Sequence, residues 1–230
     1  IMQLKQAMDQ IQPGQAVRIS VSDPAFAADL DGWCHTTGAR VRDKQLKKGG
    51  LVAVVEKGEP AGASPATPHG VTANAHKTLV VFSDAFDKAM AAFIIANGAA
   101  AMGGSVTMFF TFWGLNLLRR SQPVAVQKTF VERMFGWMMP RGANKTTLSK
   151  MNMAGMGTAM MKGIMKKKNV LSLPELIAAA QKSGVRLVAC TMTMDLMGIK
   201  REELIGGVEE GGVAAYLDRA GSANVNLFIG

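Results

Sequence analysis

The sequence predicts an α/β chain in two parts: a small α+β two-layer sandwich over residues 1–57 and a parallel-sheet domain over residues 76–230. Three observations predict it. The first 57 residues order as helix, strand, helix, strand, strand. Residues 58–75 (GEPAGASPATPHGVTANA) carry three prolines and three glycines with no periodicity, the composition of an inter-domain linker. From His76 on, short apolar runs alternate with helical spacings, the pattern of buried parallel strands joined by helices.

In the first part, Ile1, Leu4, Met8 and Ile11 follow a helical spacing that Pro13–Gly14 stop, and residues 16–21 alternate as a half-buried strand. Asp23 reads as an N-cap with Pro24 at the first helical position, and Phe26, Leu30 and Trp33 then lie along one helix face until Gly38 ends it. Strands are expected near residues 39–43 and 51–56.

In the second part, residues 77–82 (KTLVVF) read as a buried strand, with Ser83 and Asp84 capping a helix from about 85 to 102 that Gly103–Gly104 end. Residues 106–112 (VTMFFTF) are a second strand, and helices are expected at 155–168 and at 172–183, the latter capped by Ser172 with Pro174 in its first turn. A short helix near 200–205, a helix over 213–220 and a closing strand over 224–229 complete the pattern. The stretch from Ala89 to Leu118 is free of charge and longer than the ~20 apolar residues that cross a bilayer. Asn97, Gly98 and Gly103–Gly104 split it into a helix and a strand, which favours a soluble fold and leaves peripheral membrane contact as an alternative.

Composition excludes several classes. With 48% hydrophobic and 19% charged residues the chain is globular. Two distant cysteines exclude a disulfide scaffold and fit a reducing, cytoplasmic compartment; three scattered histidines and no CxxC argue against a metal. The net charge of +9 belongs to the second part, because residues 1–60 hold 8 Lys/Arg against 7 Asp/Glu. Its densest run is Lys162–Lys168 (KGIMKKK), and with aromatic residues at 6% and not interleaved with the basic ones, nucleic acid is not an expected partner.

The candidate site is Cys190. The run Val185, Leu187, Val188, Ala189 reads as a buried strand that delivers the thiol at its carboxyl end, where ligands and reacting groups collect in open α/β sheets. Thr191, Thr193, Asn116 and Ser83, all near expected strand ends, are candidate hydrogen-bonding residues around it. Asp195 is expected to turn away and cap the helix that follows, since a carboxylate beside a thiol disfavours its ionisation. Residues 134–165 hold nine methionines, and within them Met134, Phe135, Trp137, Met138 and Met139 make an apolar cluster too dense for a solvated loop.

Two resemblances add to this reading. Residues 13–41, PGQAVRISVSDPAFAADLDGWCHTTGARV, resemble the body of the TusA (SirA-like) sulfur-carrier family, with its DP-x-x-x-x-D-x-x-x-[WF]-C-x-x-x-G helix. That family carries sulfur on a CPxP cysteine that maps onto nothing in this sequence, so Cys34 is expected to be structural. Residues 76–230 are similar to the DsrE/DsrF/DsrH-like family, above all in the methionine-rich run followed by A-C-T-M-x-M-D-x-M-G; Glu209–Glu210 depart from an acidic-aromatic pair common in that branch. The resemblance implies a flavodoxin-like fold, a homo-oligomer, no cofactor, and a cysteine, here Cys190, that carries sulfane sulfur as a persulfide. It also implies rhodanese-like or TusA-like partners or low-molecular-weight persulfides. The alternatives are a binding or regulatory module that docks a partner or membrane, and the C-terminal part of a flavin-dependent CoA-disulfide or persulfide reductase. No GxGxxG follows a strand here, so reductase chemistry would not reside in these residues.

Overall fold

A computed structural model describes residues 1–22, 26–47, 50–58 and 75–230. The expected cap at Asp23–Pro24 and nearly all of the linker lie outside the described residues. The chain divides into two compact units, one built on Ile1–Ala75 and the other on His76–Ala100 with Ser105–Gly230.

The first unit runs α1 (Met2–Asp9), β1 (Ala16–Val21), α2 (Phe26–Thr37), β2 (Arg40–Lys47) and β3 (Gly50–Glu56). The strands form an antiparallel sheet in the order β1-β3-β2. Central β3 buries alternate residues Leu51, Ala53 and Val55, and these meet Leu4 and Met8 of α1 and Phe26, Leu30 and Trp33 of α2. The strand period of two and the helical spacing of three to four thus supply two apolar faces that close on each other.

The second unit continues with β4 (Lys77–Val81), α3 (Phe86–Ala101), β5 (Val106–Phe110), α4 (Phe130–Met138), α5 (Met156–Lys167), α6 (Leu173–Lys182), β6 (Arg186–Cys190), α7 (Thr191–Met197), β7 (Val208–Gly211), α8 (Val213–Gly221) and β8 (Val225–Ile229). All five strands are parallel, in the order β7-β6-β5-β4-β8. Numbered within the unit this is 4-3-2-1-5, whereas the flavodoxin order is 2-1-3-4-5. The expected parallel α/β sheet is present, and its strand order corrects the flavodoxin-like expectation. Three successive crossovers step one strand in the same direction, and only the last, through α8, carries the chain to the far side of β4.

One face of this sheet is thickly covered. Phe93 of α3 stacks on Phe110 with centroids 5.9 Å apart, and the Asn97 amide donates to the Phe93 carbonyl and to the Leu176 carbonyl of α6, locking the two helices side by side. The other face is covered by α8, which has no buried residue and rests its Tyr216 ring 5.1 Å from Phe109. Phe228, in register with Val80, shares that face and is exposed.

Several elements depart from expectation, among them α7, which begins directly at the end of β6, with only a 3-10 turn at Arg201–Glu203 where a helix near 200–205 was expected. Residues 130–138 form a helix, α4, fixed by a reciprocal capping box between Thr129 and Glu132. The Glu132 carboxylate also takes the Lys200 ammonium at 2.8 Å, and this bond first, with Thr129 second, holds its pKa down at about 2. Residues 208–211 form the edge strand β7, too short for an alternation to show. The apolar stretch from Ala89 does break at Gly103–Gly104, and among the described residues no helix is long and apolar enough to cross a membrane.

Beyond β5 the chain turns through a buried 3-10 segment, 112–118, that Gly114 lets close onto β4. The Gly114 N–H donates to the Phe82 carbonyl, and a Cβ there would lie 2.1 Å from the Val81 oxygen. Gly114→Ala is expected to lower stability by about 1–3 kcal/mol in urea denaturation, because backbone and not a flexible side chain would have to move.

Candidate functional site

Cys190 is the last residue of β6 and the N-cap residue of α7, so the strand delivers the thiol to the carboxyl edge of the sheet and the next helix starts at once. On the adjacent edge strand Gly211 pairs with Cys190, and Gly212 is the N-cap of α8. A Cβ on Gly211 would come 2.9 Å from a Val188 methyl, so a glycine lets β7 lie against β6 at this point. Two helices therefore begin side by side around the thiol, each presenting the unpaired N–H groups of its first turn.

The thiol is covered. Cys190 is 1% exposed and packs with Phe109 and Val188, against Tyr216 of α8. None of the four expected hydrogen-bonding residues bonds to it. Thr193 is fully buried, shares a 2.9 Å hydroxyl contact with Thr111 and accepts from the Phe112 N–H, tying α7 to the end of β5. Asn116 donates to Asp84 at 2.9 Å and its carbonyl faces Arg119, while the Ser83 hydroxyl accepts from the Ala85 N–H as a local cap. Thr191 is half-buried in the first turn of α7. The structure thus brings Asn116 next to Asp84, and gives these polar groups to loop architecture. Asp195, expected to cap a later helix, lies exposed within α7, because that helix starts directly at the strand end.

Cys34 sits in the core of the first unit with Leu30 and Trp33, and burial, then the Asp31 charge, push its thiol pKa up. Both effects oppose a thiolate there.

The carboxyl end of the sheet also holds an ion cluster that sequence reasoning missed. Glu203, fully buried, is met by Lys128 at 2.5 Å, Arg141 at 3.1 Å and Arg119 at 3.4 Å. Burial works to raise the Glu203 pKa, but the Lys128 hydrogen bond, the Lys200 N–H and the charges of Lys128 and Arg119 outweigh it, so the net shift is down. Arg119 is itself 1% exposed, and burial, then repulsion from Arg141, lower its pKa. The four residues come from segments up to 84 positions apart, a separation that no local pattern reveals. The one local signal nearby was the T-x-x-E of the capping box, which marks α4.

With this geometry in place, the chain can be set beside known proteins. The profile of the DsrE/DsrF/DrsH-like family matches residues 73–228. The chain belongs to this family. It is 60% identical over 152 residues to the uncharacterized protein YrkE of Bacillus subtilis, covering 66% of this chain and 95% of YrkE. It is 39% identical over 155 residues to the sulfur carrier protein DsrE2 of Allochromatium vinosum, covering 66% of this chain and 96% of DsrE2. Among solved structures, a Methanobacterium thermoautotrophicum protein of unknown function, MTH1491, aligns with 67% of this chain and 99% of its own at TM-score 0.41 and 12% identity.

Removing the carboxylate from the ion cluster leaves buried cations without compensation. Glu203→Gln is therefore expected to cost about 3–5 kcal/mol in denaturant unfolding near neutral pH. Because the Glu203 pKa lies below the ordinary value of 4.5, its stabilisation is full above that pH and fades as pH falls through the lower folded value. The acid limb of a stability-versus-pH curve should accordingly be shallower in Glu203→Gln than in the parent.

Proposed function

We propose that this protein is a sulfur carrier in which Cys190 holds sulfane sulfur as a persulfide. The observation that supports the reading is the position of Cys190, onto which the resemblance maps the sulfur-carrying cysteine, at the end of β6 beside two helix N-termini, in a chain 39% identical to a protein named as a sulfur carrier. An anionic sulfur formed there would face the partial positive charge of two helix starts. The chemistry is thiol exchange. The Cys190 thiolate attacks the outer sulfur of a donor persulfide, the donor S–S bond breaks, the donor leaves as a thiolate, and Cys190 becomes the persulfide. An acceptor thiolate then takes the outer sulfur by the same step and Cys190 is restored. Oxidation state is conserved overall, and the partners are proteins or small molecules that bear a persulfide or a reactive thiol.

Because Tyr216 packs against the cluster that holds the thiol, transfer requires α8 to move aside, and α8 has no buried residue to hold it in place. Residues 1–57 serve this reading as a TusA-like scaffold domain joined through residues 58–75, with its own cysteine sealed in the core. The cell's reducing cytoplasm is the compartment that suits the chemistry.

Incubation of the full chain with a small persulfide donor should add sulfur to Cys190, seen by intact mass and peptide mapping, with no adduct on Cys34. Loss of the adduct in Cys190→Ser supports the reading; retention of it, or an unreactive parent, sinks it. Tyr216→Ala should raise the rate of Cys190 alkylation about tenfold by uncovering the sulfur, while its circular dichroism stays that of the parent.

Self-assembly is part of the same proposal. Trp137 is 87% exposed, Phe130 80% and Met138 68% on α4, and Phe228 of β8 and Val213 and Leu217 of α8 are exposed as well. Met139, which the sequence placed with the exposed cluster, is buried at the end of α4. Monomers rarely expose more than a few hundred Å² of contiguous apolar surface, so these faces favour burial against a second copy in a closed symmetric assembly. Sedimentation at low micromolar concentration should give a species well above the 24.4 kDa chain; a species at the chain mass without detergent would contradict assembly.

A further inference from the structure

At the carboxyl end of the sheet, beside the Glu203 cluster, lies a cleft of about 840 Å³ walled on one side by Gly136, Trp137 and Met138 of α4. Its charge is one-sided. Lys128, Arg133, Arg141 and Lys145 line it against two carboxylates, Glu203 and Asp84. Glu203 is already shared among three cations, and Asp84 takes the Asn116 amide. Buried positive charge in this excess is costly unless something compensates it. Arg141 Nη1 is buried and has no hydrogen-bond partner among the described residues, while its Nη2 holds Glu203. Arg133 and Lys145 stand exposed on the cleft lining, and neither has a carboxylate partner among the described residues. Thr147 lies on the same lining, and beside it the Thr146 hydroxyl donates to the Ala143 carbonyl at 2.9 Å.

We propose that this cleft binds a dianionic oxyanion group, the free ion or the phosphoryl group of a small molecule, with Arg141 as its inner contact and Arg133 and Lys145 at the outer edge. A guanidinium offers a planar fork of donors that suits such a group, and ammonium groups add charge without fixed direction. The volume leaves room for an organic portion beside the anion, against the indole of Trp137. This site is independent of sulfur loading at Cys190.

The test follows the fluorescence of the full chain on titration with inorganic phosphate, and separately with AMP, against sodium chloride at matched ionic strength. The site predicts a saturable change with at least one of the two phosphates that chloride does not give and that disappears in Trp137→Phe. The double variant R133A/K145A, both positions exposed and without a carboxylate partner among the described residues, should bind about tenfold more weakly or worse, with unchanged circular dichroism. Tighter binding of AMP than of phosphate assigns a phosphorylated small molecule, and equal binding or tighter phosphate assigns the free oxyanion; both support the site. No response beyond that of chloride, a response that survives Trp137→Phe, or unchanged affinity in R133A/K145A would overturn it.

Discussion

A single buried carboxylate organises the working end of the second unit. Glu203 stands at the 3-10 turn after α7 and draws Arg119 from the segment after β5, Lys128 from the approach to α4 and Arg141 from its exit. Buried Leu118, Met139 and Leu204 pack these segments, whereas α4 itself has no buried residue. Charge in a low-dielectric setting adds to that packing, and leaving one partner out costs more than making the pair returns. Glu132 repeats the device more weakly, capping α4 at Thr129 and reaching Lys200 next to the same turn. Glu203 and Glu132 thus set where α4 lies, and so where the wall of the cationic cleft stands.

Cys190 depends on different physics. Its place comes from strand geometry: β6 is buried on both faces, and its parallel neighbour β7 ends one residue before α8 begins. Two helix starts then converge because two parallel strands end at the same level. The covering of the sulfur is asymmetric in strength. On one sheet face, α3 and α6 are locked by aromatic stacking and the Asn97 bridge, while on the face that holds the thiol, α8 rests on a tilted Tyr216–Phe109 contact. A carrier must protect its sulfur between transfers and release it to a partner, and a lightly held helix on a rigid sheet meets both needs.

How much of this was legible follows from range. Helices α3, α5, α6 and α8 and strands β4, β6 and β8 could be read to within about two residues, because their spacing, caps and glycine stops are local. Helix α4 was legible in principle from Thr129 and Glu132, but its run of Phe, Trp and Met hides any polar face. Strand β7 was not, since four residues with one buried side chain carry no period. The polar residues near Cys190 were legible as lying near strand ends; that Thr193 would turn to Thr111, and Asn116 to Asp84, depends on partners distant in the chain.

The amino-acid sequence by itself determined the division of the chain, the α/β character of the larger part and the delivery of a cysteine to the end of a buried strand, because each rests on periodicities of two and 3.6 and on stop residues a few positions away. Only the tertiary structure decided the strand order, the pairing of Gly211 with Cys190, the burial of Cys190 in a cluster that Tyr216 packs against and the gathering of three cations on Glu203. Apolar strands of similar length are interchangeable to a local reading, and a buried charge chooses its partners by distance in space.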